Sequence, residues 1–363
     1  MLPCWHPGFD GKEYLNTMNR LSISCILFFL LVPVLFFPDR AFSKNPSELQ
    51  TFQIFFENDL FGDTDKYYTN AVQLSWLSKD LKQYKDDVRL PEWAFPIIQA
   101  IPFSGDPDST HNIGIVLGQQ IFTPSDIQAT TLIENDRPYA GFLYGGLALH
   151  SKTNTVLDTL EILMGVVGPA AKAEFSQNKV HELRDIPTAK GWENQLHNEP
   201  ALSLSWQRKW RLHRQEFFDF LEYDLISHSG MTLGNVRISG FAGAEIRLGH
   251  NIPLDFGSDI IHAGAGISAP VIENSAPGWK NVGSHIFLSS QVEAVGRDIF
   301  LDGNTFESGP DVDKKPLVAD LSAGYAFSFD TIKITYRHLF RTKQFDSQEK
   351  GQVIGSLTLT VSF

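Results

Sequence analysis

Gln352-Val353-Ile354-Gly355-Ser356-Leu357-Thr358-Leu359-Thr360-Val361-Ser362-Phe363 is the stretch on which the fold turns. Val353, Leu357, Leu359, Val361 and Phe363 share one face, and Ser356, Thr358, Thr360 and Ser362 share the other. A period of two belongs to an extended strand whose faces meet different surroundings. The same beat recurs upstream. Ile332, Ile334 and Tyr336 alternate with Lys333, Thr335 and Arg337, and Leu321, Tyr325, Phe327 and Phe329 repeat the pattern. In 235–248, Val236, Ile238, Ala242, Ala244, Ile246 and Leu248 oppose Asn235, Arg237, Ser239, Glu245 and Arg247. Leu202, Leu204, Trp206 and Trp210 alternate with Ser203, Ser205, Gln207 and Lys209.

Two architectures fit. A soluble sandwich turns the apolar face inward, whereas a transmembrane barrel turns it to lipid around a polar lumen. Three features favour the barrel. About twelve segments are near or above the roughly 9–11 residues that a tilted strand needs to cross a bilayer. Aromatic residues (Tyr67, Tyr68, Tyr139, Tyr144, Trp206, Trp210) crowd the segment ends, where an interfacial girdle would lie. The alternating last strand ends on Phe363, which resembles the sorting signal of bacterial outer-membrane proteins. The expected fold is all-β, a twelve-stranded antiparallel transmembrane β-barrel of the outer-membrane type. Its strands are expected at 51–57, 66–78, 111–123, 139–152, 155–167, 199–212, 216–230, 235–249, 283–298, 316–328, 331–342 and 351–363. An even count puts both ends in the periplasm, so connections 58–65, 124–138, 168–198 and 299–315 face the exterior. Those at 79–110 and 250–282 are periplasmic.

Composition agrees. The 363 residues carry a formal charge of −12, which argues against a nucleic-acid partner, since phosphate binding needs a basic face. Both cysteines, Cys4 and Cys25, lie near the start, so the remainder offers no thiolate metal site, Cys nucleophile or disulfide scaffold. Arg20 precedes an uncharged run from Leu21 to Phe37, and Ala41-Phe42-Ser43 supplies a small-x-small cleavage pattern. Residues 1–43 therefore read as a signal peptide, with 1–17 either an extended n-region or a mis-assigned start. A retained membrane anchor is the bland alternative. Residues 44–363 read as a single barrel domain.

The chemistry collects in three places. No Gly-x-Ser-x-Gly elbow occurs, and the zincin-like string begun by His181-Glu182 fails because its second ligand position is Asp185. Glu57-Asn58-Asp59, followed by Thr64-Asp65 and Tyr68-Thr69-Asn70, gathers carboxylates, carboxamides and hydroxyls around one hairpin tip. Such hard oxygens suit Ca²⁺ rather than zinc, although Asn and Asp also simply build turns. Strand phase turns Asp59 and Thr69 toward the lumen, where they converge. Asp136-Arg137-Pro138-Tyr139 reads chiefly as an ion-paired turn. Residues 170–184, with Glu174, Gln177 and His181 at spacings of three and four, predict a short helix with one polar face in an exterior loop. A histidine is usually a surface or core residue, but His181 would share a barrel end with Asn58 and Asp59. An imidazole base beside a carboxylate-held Ca²⁺ suffices to hydrolyse an ester with water as nucleophile.

Glu57-Asn58-Asp59 with Thr64-Asp65 and Tyr68-Thr69-Asn70 forms one part of a wider pattern. Thr123-Pro124-Ser125, Asp136-Arg137-Pro138-Tyr139-Ala140-Gly141 and Gly191-Trp192 through Gln195-Leu196 and Asn198-Glu199-Pro200 complete it. Together they resemble the outer-membrane lipid A 3-O-deacylases, the LpxR family, over essentially 50–363. The resemblance implies a Ca²⁺-dependent esterase that removes the 3′-linked acyloxyacyl group of lipid A. It implies His181 as the base activating water, and Asp59 holding Ca²⁺ with Asn58 and Thr69 completing the site. Three positions depart from the family pattern: 126–131 lacks the lysine that acts on the oxyanion, Pro187 stands where an acid is usual, and Ala71 replaces a glycine. The expected partners are lipid A of lipopolysaccharide and the outer-membrane lipid, for a monomer with its site toward the exterior leaflet. The competing readings are a porin-like or structural barrel without catalysis, and an outer-membrane phospholipase.

Overall fold

An alternating segment satisfies two surroundings at once only when it is extended, and each such stretch forms a strand. The computed structural model describes residues 49–59, 66–87, 90–217, 220–258 and 282–363, so the expected signal peptide lies outside the described residues. The strands are β1 (Thr51–Asn58), β2 (Tyr67–Leu77), β3 (Thr110–Thr123), β4 (Ala140–Lys152), β5 (Val156–Val167) and β6 (Glu199–Phe217). They continue as β7 (Leu221–Gly234), β8 (Arg237–His250), β9 (Val282–Asp298), β10 (Leu317–Phe329), β11 (Ile332–Arg341) and β12 (Gln352–Ser362). Every neighbour pair is antiparallel, and β1 pairs with β12 from Thr51↔Ser362 to Asn58↔Gly355, closing the sheet into a barrel. Closure leaves no strand edge unpaired. No helix among the described residues is long and apolar enough to cross a membrane; in this fold the strands do so.

The barrel is inside-out. Along β8, Arg237, Ser239, Glu245 and Arg247 are buried, while Ile238, Ile246 and Leu248 are exposed. Ile115, Leu117, Leu143, Leu147, Leu202, Leu204 and Leu288 continue the exposed apolar surface on other strands. Water would penalise such a belt, whereas lipid accepts it.

The lumen is filled. Arg247 pairs with Asp224 and Asp255, Arg237 with Glu293 and Asp298, and Arg341 with Asp320. The start of the β8–β9 connection folds into the bore, where Asp255 also meets Lys333 and Ser258 meets Glu245 and Arg337. Phe256, which is 1% exposed, packs there beneath the Arg211 guanidinium. Burial alone would raise the Asp255 carboxyl, but Lys333 and Arg247 hold it well below the usual carboxylate range. Nearer the opposite end, a short helix (Ile299–Asp302) places Phe300 in a stack with Phe122, at 3.9 Å between ring centroids.

Two expectations need correction. Periodicity ended one strand at 212 and began the next at 216, yet β6 runs to Phe217 and β7 starts at Leu221. A register shift between Arg211 and His213 changes the phase, and pairing then continues to Phe217↔Leu221. Tyr67, Tyr68, Tyr139 and Tyr144 are buried and so form no girdle. Tyr68 and Tyr144 face inward and donate hydroxyls to Glu57 (2.7 Å) and Gln73 (2.9 Å). Exposed aromatic side chains instead include Trp76, Tyr325, Phe329, Tyr336 and Phe340.

Candidate functional site

Antiparallel order puts the loops after odd-numbered strands at one rim and those after even-numbered strands at the other. Asn58, Asp59, Thr69, Thr123 and residues 168–198 therefore all belong to the odd-loop rim.

The first part of the site is the β1–β2 hairpin. Asn58 faces Asn70 in the ladder, and Asp59, fully buried, accepts the Lys66 backbone N–H on Oδ2 at 2.6 Å. That bond ties the two feet of the tip together; Thr64 and Asp65, expected in the same cluster, lie outside the described residues. Against β3 the register jumps from Tyr68↔Phe122 to Asn70↔Ile121, which leaves Thr69 as an extra residue. The Thr69 hydroxyl meets that of Thr123 at 2.7 Å. Thr123 is in phase along β3 with Ile115 and Leu117, which are exposed on the outer face. The bulge thus re-aims Thr69 away from the lumenal direction that simple alternation assigned to it.

The second part is the β5–β6 connection, which carries the expected helix as Ala173–Leu183. Its first turn lies against β4: a Cβ on Gly141 would come within 2.5 Å of the Ala173 Cβ, so only glycine admits this approach. Gln119 of β3 donates to the Ala171 carbonyl at 2.6 Å. Gly141 and Gln119 are in phase with the exposed Leu143 and Leu117, so the helix rests on the outer side of the wall. Ile121, Tyr139, Ala173, Ala189 and Trp192 form the apolar seam beneath it.

Along the helix, Gln177 and His181 lie one turn apart on the buried side. Gln177 accepts the Trp192 indole N–H at 2.9 Å, and Trp192 packs on Tyr139. The His181 Nδ1 is 2.7 Å from the Pro187 carbonyl oxygen. A carbonyl only accepts, so Nδ1 carries the hydrogen and Nε2 is the basic nitrogen of the neutral ring. A backbone oxygen therefore orients the imidazole at the position where the family pattern has an acid.

The β3–β4 turn leads into the helix seam through Tyr139. Asp136 accepts the backbone N–H groups of Ser125 (2.6 Å) and Arg137 (2.8 Å), in keeping with a structural turn. Arg137, 1% exposed, lies over the Phe122 ring at 5.0 Å. Burial pushes its guanidinium down to about 10, against the pull of Asp298 and Asp136.

The structure thus brings Asn58, Asp59 and Thr69 together at one hairpin foot and sets His181 at the same rim, on the helix seated over β3 and β4. Thr123 and Gln177 join them without having been singled out for a role. Thr123 stood in the Thr-Pro-Ser motif, but nothing in spacing reveals that a bulge brings it to Thr69. Among the described residues, no group of three or more His, Cys, Asp or Glu side chains is arranged to hold a metal ion. The oxygens of buried Asp59, Asn58 and Thr69 nevertheless fit a hard cation better than a soft one.

An inside-out closed barrel with its polar cluster at one rim defines an outer-membrane β-barrel protein. Within that class the chain belongs to the family described as outer membrane protein LpxR, whose sequence profile matches residues 24–363. Among solved structures the fold is similar to LpxR from Salmonella typhimurium, with a TM-score of 0.67 and 16% identity over 86% of this chain and 100% of that one. A looser likeness, with a TM-score of 0.40 and 8% identity, covers 87% of this chain and 98% of the beta domain of the Bordetella autotransporter Brka. No curated protein matches by sequence.

Proposed function

We propose that this chain is an esterase that removes the 3′-linked acyloxyacyl group from lipid A, working as a monomer with its odd-loop rim toward the exterior leaflet. Membership of the LpxR family supports the substrate class. The observation that carries the reading is the placement of His181: its helix rests on the lipid side of the wall, at the rim that holds Asn58, Asp59 and Thr69. An acyl chain anchored in the leaflet reaches such a site without leaving the membrane.

In this reading Nε2 of His181 takes a proton from water as the water oxygen bonds to the ester carbon. The bond from that carbon to the sugar oxygen then breaks, and the imidazolium gives its proton to that departing oxygen, which leaves as the sugar hydroxyl while the acyl group leaves as the free acid. The Pro187 carbonyl holds the ring in the tautomer this requires. Asp59 and Thr69, with Asn58 beside them, are the residues that would hold Ca²⁺, which when bound supplies positive charge to the developing oxyanion. The Thr123 hydroxyl fixes that of Thr69. The filled lumen speaks against a porin-like role.

His181→Ala and Asp59→Ala should each abolish the mass loss of one acyloxyacyl group from lipid A, with heat-modifiable barrel migration preserved. Full release by His181→Ala would remove the assigned base. Release of fatty acid from phospholipid but not from lipid A by the purified protein would favour the phospholipase reading instead.

A further inference from the structure

The connection between β2 and β3 does not simply hang from the even-loop rim. It folds back over the outer face of the barrel. Leu81 and His111 exchange backbone hydrogen bonds at 2.8 and 2.9 Å, and the Tyr84 ring lies 4.5 Å from that of His111. The Tyr84 hydroxyl donates to the His150 carbonyl at 2.8 Å. Leu81, Tyr84 and Ile98 bury Ile113, with Leu149 packed alongside. His111, Ile113 and Leu149 are in phase with the exposed Ile115, Leu117 and Leu147, so the connection covers one end of the lipid-facing strip. Lys152, paired with Asp80 at 2.6 Å, pins its base.

The free side of this cover is apolar. The turn Glu92–Ala94 and the helix Phe95–Gln99 expose Trp93 (72%) and Ile97 (62%), while Lys79, Lys82 and Lys85 are exposed on the same connection. We propose that this segment is an interfacial anchor, its Trp93–Ile97 side seated at the boundary of phospholipid headgroups and acyl chains in the leaflet at the even-loop rim.

Three observations support lipid as the occupant. The apolar surface is continuous with the belt that already faces the membrane. Tryptophan is the side chain that settles at this boundary, where the indole meets headgroups. The third is depth. On β3 this cover buries Ile113, while the helix at the other rim covers Ile121. Eight residues at roughly 3.3 Å each span about 26 Å of strand, or about 20 Å of depth at the tilt of such barrels, so both covers fall at the borders of the apolar belt. The inference needs the membrane-spanning barrel but not the deacylase reading.

The test places a nitroxide at Ile97→Cys in a Cys4→Ser, Cys25→Ser background, with the protein in phosphatidylethanolamine and phosphatidylglycerol vesicles. Leu147→Cys serves as the lipid reference and Asp106→Cys as the aqueous one. The ratio of oxygen to nickel-chelate accessibility at position 97 should exceed that at 106 several-fold, approaching the value at 147. A ratio equal to that at 106 overturns the anchor, and so does protection from both reagents, which would mean a protein partner or second copy covers the segment. An aqueous ratio at 147 as well overturns the membrane belt itself and the anchor with it.

Discussion

Single atoms decide two features of the site. Gly141 admits the helix because a methyl group there would collide with that of Ala173. Gly141→Ala should cost about 1–3 kcal/mol and sharply lower deacylation while the barrel stays folded. The double variant Gly141→Ala, Ala173→Gly should recover activity, measured by lipid A mass spectrometry; failure of that rescue would mean the contact does not set the helix position. The hydroxyl pair of Thr69 and Thr123 gives a second check. A double-mutant cycle with Thr→Val at each position should show a coupling of about 1 kcal/mol in unfolding. Much at this scale escapes sequence reading. His181, Asn58, Asp59 and Thr69 stood out as candidates by residue type and motif, but the Pro187 carbonyl did not, since every residue offers a backbone oxygen and only the fold selects one.

The elements were far more legible, because lipid and lumen demand opposite chemistry and so write a two-residue period into each strand. β8 and β9 follow it closely. Bulges erase it: the shift at Arg211 lengthened β6, and the one at Thr69 turned a side chain to the other face. The β2–β3 cover on the outer wall was invisible for another reason, since loop residues such as Tyr84 and Ile98 carry no period. The inward fold of 252–258 is held by Asp255 between Arg247 and Lys333. Asp255→Ala leaves Lys333 without this carboxylate and Arg247 with Asp224 alone, and should destabilise the barrel by about 3–5 kcal/mol in urea unfolding. The folded carboxyl titrates below its unfolded value, so this contribution is complete above about pH 4–5 and fades only as pH falls further. The gap between wild type and Asp255→Asn should therefore stay constant from pH 7 to pH 5; narrowing within that interval would contradict the ion-paired state.

At the scale of the whole molecule, the ion-paired interior and the helix of the proposed site occupy opposite sides of one wall. The bore is taken up by arginine–carboxylate pairs and by the Phe256 and Phe300 layers. Purified protein in a planar bilayer should accordingly show no steady ion conductance; porin-like openings would refute the filled lumen. The helix that bears His181 is instead fastened to the outer surface, against Gly141 and Gln119. A molecule arriving from that side travels in two dimensions, so its encounter rate follows its mole fraction among neighbouring lipids rather than its molarity in any aqueous compartment.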